Sequence, residues 1–332
     1  MKNLEPEVLA NLSAEDIVNG LCEGDFSVVK SLGCKKLLRG VGFGRLGAGL
    51  ALRLSRLGKR NASPSELRKS LSCFLKKFTP YDTPQPSADV HETGAVMAFN
   101  HPSLGEIPRL IIYCLERYPQ KQLLFPVTLV WFEALASHCK ELEKLGVTIT
   151  PTITPNAVAE LQEIAPQYHA EINEIRTKLN NRYLSMTEAT LRKGGIVLVA
   201  PNATREVFLF ENEAQMRGDE AFAPETLSLL AISLSRHKDL TYEIIPMAIA
   251  PPVLWSRGIN LFNDYDIIPC ENITNDEALA MARHKVGKAR VRELDLYFRK
   301  AIADVLREYG EDLVMRPEHV SDVVDPWTYD DE

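Results

Sequence analysis

The sequence predicts an α/β fold: a mixed, largely parallel sheet flanked by helices and preceded by a small N-terminal helical domain. Two observations indicate this. From residue 95 onward, short apolar runs of strand length alternate with longer segments of helical character, which is typical of strands joined by crossover helices. Residues 1–80 instead have helical character throughout, and a loop rich in Pro, Thr and Asp at 79–94 separates the two parts.

The individual elements follow from local signals. Ser13 and Ser63 are predicted helix N-caps, and SPSE at 63–66 combines a capping box with proline at the first helical position. The predicted strands are 95–99, 123–130, 147–150, 195–200, 242–249 and 262–269. The predicted helices of the second part are 105–118, 131–145, 155–180, 183–193, 224–237 and 275–309. The predicted domains are a basic helical domain at 1–80, an α/β domain at 95–312 and an acidic tail at 313–332.

The bulk composition is that of an ordinary globular protein. The 332 residues are 45% hydrophobic and 25% charged. The six cysteines form no CxxC pair, and the acidic N-terminus lacks the apolar region of a secretory signal, so we expect reduced thiols in a cytoplasm. No run reaches the roughly 18 uninterrupted apolar residues of a spanning helix. The sequence therefore predicts a cytoplasmic protein without a membrane-spanning helix.

The charge is unevenly distributed along the chain. Residues 30–77 hold thirteen Lys and Arg against one acid, Glu66, so this segment is +12 while the whole chain is −7. One interpretation is a solvated helical face that packs on the acidic remainder. The other is attraction to anionic lipid head groups, because Arg alternates there with Leu, Val and Phe. Nucleic acid is a poorer partner, since the segment offers only two aromatic residues for stacking.

Neither a dinucleotide cofactor nor a metal ion is expected. GFGRLG at 42–47 fits the spacing GxGxxG, but the charged CKKLLR precedes it where that fingerprint needs a strand. The seven histidines show no ligand spacing such as HExxH. We therefore predict chemistry without a bound cofactor.

The segment NHPSLGE at 100–106 places a histidine and a carboxylate at the end of a predicted strand. Pro102 favours an extended backbone at His101, and Pro108 is tolerated only in the first turn of a helix, so Glu106 lies near a helix start. A histidine held by a carboxylate can accept a proton from a hydroxyl as a general base. Taken alone, the spacing favours a structural histidine that caps a helix.

Two further segments have the character of a site. LRKGGIVLVAPNATRE at 191–206 leads from a Gly-Gly turn into an apolar strand and then into polar residues, where Arg205 could bind a phosphate or carboxylate, or pair at the surface with Glu206 or Glu211. YEIIPMAIAPP at 242–252 is an apolar strand with Pro246 in its middle. Proline there indicates an edge strand, a bulge or a strand distorted beside a site.

The order and spacing of the three segments resemble the glycerolipid acyltransferases, the family of glycerol-3-phosphate and lysophosphatidic acid acyltransferases. NHPSLGE is similar to the family's NHx4D motif, with Glu106 in place of Asp. APNATRE at 200–206 is similar to its third motif, FPEGTRS or APSGGRD, and IIPMAIAPP at 244–252 to its fourth, a strand with a central proline. The match spans about residues 95–252, and a helical domain before an α/β catalytic domain also resembles the plant-type glycerol-3-phosphate acyltransferase.

The resemblance implies an acyltransferase that moves a fatty acyl group from acyl-CoA or acyl-carrier protein to a hydroxyl, without a covalent acyl-enzyme. It implies His101 as the general base and Glu106 as the residue that orients its imidazole. It further implies that Arg205 contacts an anionic acceptor, and that backbone amides near Asn202 and Thr204 line the acyl or oxyanion region.

The acceptor stays open at this point. The segment 144–158 has no basic residue after Lys144 to match the family's second motif, and Val207 stands where plastid-type relatives carry a second basic residue. Arg109, one helical turn past Glu106, could partly compensate. A lysophospholipid, glycerol phosphate and an uncharged alcohol are alternatives, as are a relative that binds lipid without transferring it and a thioesterase-like hydrolase.

Overall fold

The computed structural model describes residues 14–23, 56, 62–75, 93–99, 106–128, 132, 138–153, 169–200, 226–250, 266–285 and 287–309. The described helices are α1 (Ala14–Glu23), α2 (Pro64–Leu75), α3 (Glu106–Arg117), α4 (Cys139–Lys144), α5 (His169–Arg192), α6 (Thr226–Leu234), α7 (Asn275–Met281) and α8 (Gly287–Tyr309). The described strands are β1 (Gly94–Phe99), β2 (Leu123–Thr128), β3 (Val147–Thr152), β4 (Ile196–Val199), β5 (Tyr242–Ala250), β6 (Asp266–Pro269) and β7 (Ile273–Thr274).

The strands form one seven-stranded sheet in the order β3-β2-β4-β1-β5-β6, with β7 paired to β5 outside this path. β1 runs parallel to both of its neighbours, so that Ala98 lies opposite Val199 of β4 and opposite Pro246 of β5. β6 and β7 run antiparallel to β5. The predicted α/β fold with a mixed, largely parallel sheet is therefore confirmed.

The apolar runs become strands because both of their faces are covered. Every residue of β1 and of β4 is buried, which is the pattern of central parallel strands between layers of helices. All six predicted strands occur, and the predicted ends that fall within the described residues are shifted by at most two residues. The predicted strand residues 129–130 and 262–265 lie outside the described residues. The seventh, β7, is only two residues long, too short for an alternating pattern to reveal it.

Three helix predictions are wrong. The helix expected at 131–145 is interrupted at His138, which is the N-cap residue of α4. The break expected between residues 180 and 183 is absent, because a buried stripe at Leu179, Tyr183 and Thr187 continues the helical spacing through this point of α5.

The single helix expected at 275–309 is divided by a turn at 282–285 into α7 and α8. The three basic residues at 283–285 and the glycine at 287 are signals of the kind that end a helix, and the prediction of one helix did not use them.

The predicted capping box at the start of α2 is confirmed. The Glu66 amide donates to Ser63 Oγ at 3.3 Å, and the Ser63 amide donates back to Glu66 Oε2 at 2.7 Å. This backbone hydrogen bond from Ser63 holds the pKa of the Glu66 carboxyl below its usual value. A second box, between Thr274 and Glu277, begins α7. Ser13 lies outside the described residues.

Contacts divide the chain into two compact units. The first comprises Met1–Leu67 with Leu124–Ala189, and the second comprises Arg68–Leu123 with Thr190–Glu332. In the first, Lys178 Nζ on α5 donates to Glu15 Oε2 on α1 at 2.8 Å. In the second, α8 packs on β5, α6 and α7. The predicted domains 1–80 and 95–312 stay predictions, and the tail 313–332 lies outside the described residues.

A buried lysine joins the beginnings of β1 and β4. Lys121 Nζ donates to the carbonyl oxygen of Thr93 at 2.8 Å and to that of Gly194 at 2.7 Å. Lys121 is only 9% exposed. Burial lowers the pKa of its ammonium group, and the nearby Glu243 carboxylate opposes this shift. We call this end of the two strands the amino edge of the sheet.

The predicted Gly-Gly turn before β4 is required at both positions. Gly194 has a φ of 70°, in the left-handed region that favours glycine. At Gly195 an added Cβ would lie 2.6 Å from Thr190 Cγ2 and 3.0 Å from the Gln122 carbonyl oxygen. The turn therefore lets β4 begin close against its neighbours, where Lys121 can reach it.

Lys121→Met should lower the free energy of unfolding by about 2 kcal/mol, because two hydrogen bonds from a charged donor are lost and two carbonyl groups are left without it. Urea denaturation of both proteins measures the difference. Lys144→Met, at an exposed lysine that ends α4, is the matched control and should change stability by less than about 0.5 kcal/mol. Equal effects of the two substitutions would contradict the role assigned to Lys121.

Candidate active site

The sheet brings together the strands that lead into the three predicted site segments. β4, β1 and β5 are adjacent and parallel, so their carboxyl ends lie along the same edge, here called the carboxyl edge. In the sequence, NHPSLGE begins directly after β1, and APNATRE begins directly after β4. Ligands of open α/β sheets bind at the carboxyl ends of strands. The carboxyl edge of these three strands is therefore the candidate active site.

Most of the predicted site residues lie outside the described residues. These are His101, Asn202, Thr204 and Arg205. The backbone of Glu106 is described and forms the first residue of α3, as predicted, but its side chain is not. Arg109 is the one predicted site residue whose side chain the structure describes.

Arg109 is a buried cation on the first turns of α3. It is 4% exposed and has an interaction partner in the fold. Side chains on a helix lean toward its N-terminus, which for α3 is the end that follows β1. Arginine stays charged at all physiological pH values, and a buried charge is stable only where it is paired. Arg109 thus places a fixed positive charge near the N-terminal end of α3, which is the end at the candidate site.

The packing of α3 on β1 is apolar. Cys114 Sγ lies 3.6 Å from Met97 Sδ, and Leu110 and Leu115 are buried on the same helix. Burial raises the pKa of the Cys114 thiol far above its ordinary value. Because the thiolate is the reactive form, Cys114 is a packing residue and a poor nucleophile.

Burial also raises the pKa of three other thiols, those of Cys22, Cys139 and Cys270. For Cys270 it reaches about 11. These shifts disfavour the thiolate at neutral pH.

Pro246 lies in a strand that is paired on both sides. On one side β5 pairs with β1 in an unbroken register, and on the other it pairs with β6 and β7. The Cys270 amide donates to the Pro246 carbonyl at 2.8 Å. The edge-strand interpretation is therefore wrong, while a bulge and a strand distorted beside a site stay predictions.

Among the residues that the structure describes, no group of three or more His, Cys, Asp or Glu is placed to hold a metal ion. No helix within the described ranges is both long enough and apolar enough to cross a bilayer.

Comparison of the chain with the models of known protein families finds no match, and comparison with curated proteins finds none either.

Arg109→Met should lower the free energy of unfolding by about 2 kcal/mol, because the substitution removes a polar side chain that is almost fully buried, together with its interactions. Chemical denaturation followed by circular dichroism measures this loss. Arg182→Met, at an exposed arginine on α5, should cost less than about 0.5 kcal/mol. If the two variants are equally stable, Arg109 is not held by the interactions that its burial requires.

Proposed function

We propose that the chain is an O-acyltransferase related to the glycerolipid acyltransferases. It would move a fatty acyl group from acyl-CoA or acyl-carrier protein to a glycerolipid-type hydroxyl. The observation that carries the proposal is the adjacency of β4, β1 and β5 in parallel. The segments that resemble the family's first and third motifs directly follow two neighbouring strands at one edge, as a shared active site requires.

In the proposed reaction His101 acts as the general base. Its imidazole takes the proton of the acceptor hydroxyl as the oxygen attacks the thioester carbonyl carbon. A new C–O bond forms and the C–S bond breaks. The leaving thiolate then takes the proton from the imidazolium, which returns His101 to its neutral form. The products are an ester and a free thiol.

Glu106 would orient His101 and stabilise the imidazolium. Its position as the first residue of α3 supports this role, because the positive end of the helix dipole favours an ionised carboxylate. A carboxylate that accepts from one ring nitrogen selects the tautomer whose other nitrogen can accept a proton. Glutamate is one methylene longer than the family's aspartate. The Glu106 carboxylate would therefore reach the His101 imidazole from a backbone that lies further away than an aspartate's would.

Arg205 would bind the acceptor's anionic group, with Asn202 and Thr204 beside the acyl or oxyanion position. Guanidinium groups bind phosphate and carboxylate through paired hydrogen bonds. The burial of Arg109 on α3 supports a second positive charge near the same edge. This assignment favours an anionic acceptor, either glycerol phosphate or a lysophospholipid, over an uncharged alcohol.

The proposed location is the cytoplasm, with peripheral attachment to anionic membranes through residues 30–77. Within that segment the structure describes Arg56 and residues 62–75. α2 is amphipathic there: Leu67 and Leu71 are buried while Lys69 is exposed. Such a helix presents charge to its surroundings while its apolar side is packed within the protein.

The test is thiol release from palmitoyl-CoA and from an acyl-carrier-protein thioester. Each donor is combined with glycerol-3-phosphate, lysophosphatidic acid, a neutral lysolipid or no acceptor. We expect release that depends on an anionic acceptor, and His101→Ala should reduce it by about a hundredfold or more. Glu106→Gln should reduce it similarly, whereas Glu106→Asp, which keeps the carboxylate but shortens its reach by one methylene, should lose less than Glu106→Gln.

The outcomes separate the alternatives. Release that is independent of any acceptor would indicate a thioesterase. No release from any pair, together with lipid detected by mass spectrometry in the purified protein, would indicate a relative that binds lipid without transferring it. A fully active His101→Ala enzyme with an unchanged fold would rule out the proposed mechanism.

A further inference from the structure

Glu116 stands where a carboxylate is unfavourable. It is the penultimate residue of α3, and the negative end of the helix dipole repels an anion placed there. Its Oε2 atom is buried and has no hydrogen-bond partner among the described residues, which adds a cost of desolvation. A residue that is costly both to its own helix and to its surroundings is expected where a specific contact is needed.

That contact is made with α2. Ser72 Oγ donates to Glu116 Oε1 at 2.7 Å, although the two residues lie 44 positions apart in the sequence. Both residues belong to the second unit, and both are half-buried. A hydrogen bond to a carboxylate is stronger than one between neutral groups, and it is directional. It therefore fixes α3 to α2 in one orientation.

The contact with α2 and the contact with β1 hold α3 from opposite sides. Cys114, whose Sγ lies 3.6 Å from Met97 Sδ on β1, comes two positions before Glu116. On a helix of 3.6 residues per turn this spacing places the two side chains about 200° apart. Apolar packing is non-directional, so it constrains the rotation of α3 about its axis less than the hydrogen bond from Ser72 does.

Arg109 lies on the same side of α3 as Glu116. The two residues are seven positions apart in the sequence, which is two helical turns and about 10 Å along the axis. Ile112 lies between them on that side and is buried, as Arg109 is. The side of α3 that Ser72 holds is therefore also the side that carries the buried cation.

We propose that Ser72 and Glu116 are positioning residues: their hydrogen bond fixes the rotation of α3 and thereby directs Arg109 at the anionic group of the acceptor. This role rests on the proposed function and assigns a part in it to α2, which lies outside the three motif segments. A planar guanidinium binds phosphate or carboxylate best in a narrow range of orientations. A small rotation of α3 would therefore weaken the binding of an anionic acceptor.

The first readout is selectivity for charged acceptors. It is the ratio of kcat/KM for lysophosphatidic acid to that for monoacylglycerol, and for glycerol-3-phosphate to that for glycerol. A change felt through Glu106 and His101 would slow transfer to both members of a pair alike. The ratio therefore isolates the effect on Arg109.

Three variants and one control are compared with the native chain. Ser72→Ala removes the donor and Glu116→Leu removes the acceptor, whereas Glu116→Gln keeps an acceptor oxygen in the same place. Cys73→Ser is the matched control, because it changes the exposed neighbour of Ser72 on the same helix. Circular dichroism checks that each variant folds.

Ser72→Ala and Glu116→Leu should lower the selectivity ratio about tenfold, the contribution typical of one hydrogen bond to a charged group. Glu116→Gln should retain most of the ratio, and Cys73→Ser should retain all of it. Equal losses toward charged and uncharged acceptors would mean that the two residues serve the fold alone, and would overturn the proposal.

A second readout does not depend on catalysis. The Nε–H proton of a buried arginine is protected from exchange with water and can be followed by nitrogen-edited NMR. The resonance that disappears in Arg109→Met belongs to Arg109. Ser72→Ala and Glu116→Leu should shift this resonance, and Cys73→Ser should leave it in place.

The two readouts separate failure of this inference from failure of the proposed function. A native chain that transfers no acyl group would refute the proposed function, and a shifted resonance would then still uphold the coupling of Ser72 to Arg109. An Arg109 resonance that is unchanged in both Ser72→Ala and Glu116→Leu would overturn the inference, whatever the activity.

Discussion

The backbone pairing of β1 with β4 on one side and β5 on the other is the constraint on which the rest of the molecule depends. Parallel strands share a direction, so each segment that leaves β1 or β4 at its carboxyl end starts from the same edge of the sheet. Residues a hundred positions apart in the sequence are thereby brought to neighbouring starting points. A slip of one residue in this register would exchange the two faces of β1, and its side chains would no longer fit the packing on either face.

The pairing of β1 with β4 is also stabilised at the amino edge of the sheet. Lys121 binds the backbone just before β1 and just before β4, and the glycines at 194 and 195 allow β4 to start there without a steric conflict. A buried ammonium group that donates to two carbonyls is a specific device, because any shift of one strand relative to the other would leave a charged group without its acceptors. The strand pairing at the carboxyl edge thus relies on contacts at the amino edge.

The fold could be predicted from the sequence where one strong local signal decides the outcome. The apolar run before His101 and the run from Ile196 to Val199 have the length of buried strands, and their alternation with helical segments favours parallel pairing. Predictions failed where tertiary packing decides or where a weaker signal was passed over. α5 continues through Asn180 and Asn181 because its buried stripe requires it. The end of α7 was marked by the basic residues 283–285 and the glycine at 287, which the prediction of one helix did not use.

The candidate site, too, could be predicted from the sequence only in part. In the segment after β1, a histidine, a carboxylate and two prolines predicted a site and a helix start near Glu106. α3 does begin at Glu106. The burial of Lys121 could not be read from the sequence, since its partners are backbone atoms far away along the chain. Three alternatives explained Pro246 in the sequence, and the pairing of β5 on both sides excludes one of them, the edge strand.

The central claim is that the segments following β1 and β4 meet at the carboxyl edge to form one site. Cross-linking tests it directly, with cysteines introduced as His101→Cys and Arg205→Cys and a short bis-thiosulfonate reagent. Peptide mass spectrometry should identify a link between positions 101 and 205. The control pair, His101→Cys with Lys193→Cys at the amino edge, should give none. A link from 101 to 193, or failure of 101 to join 205 although each cysteine is labelled singly, would contradict the account.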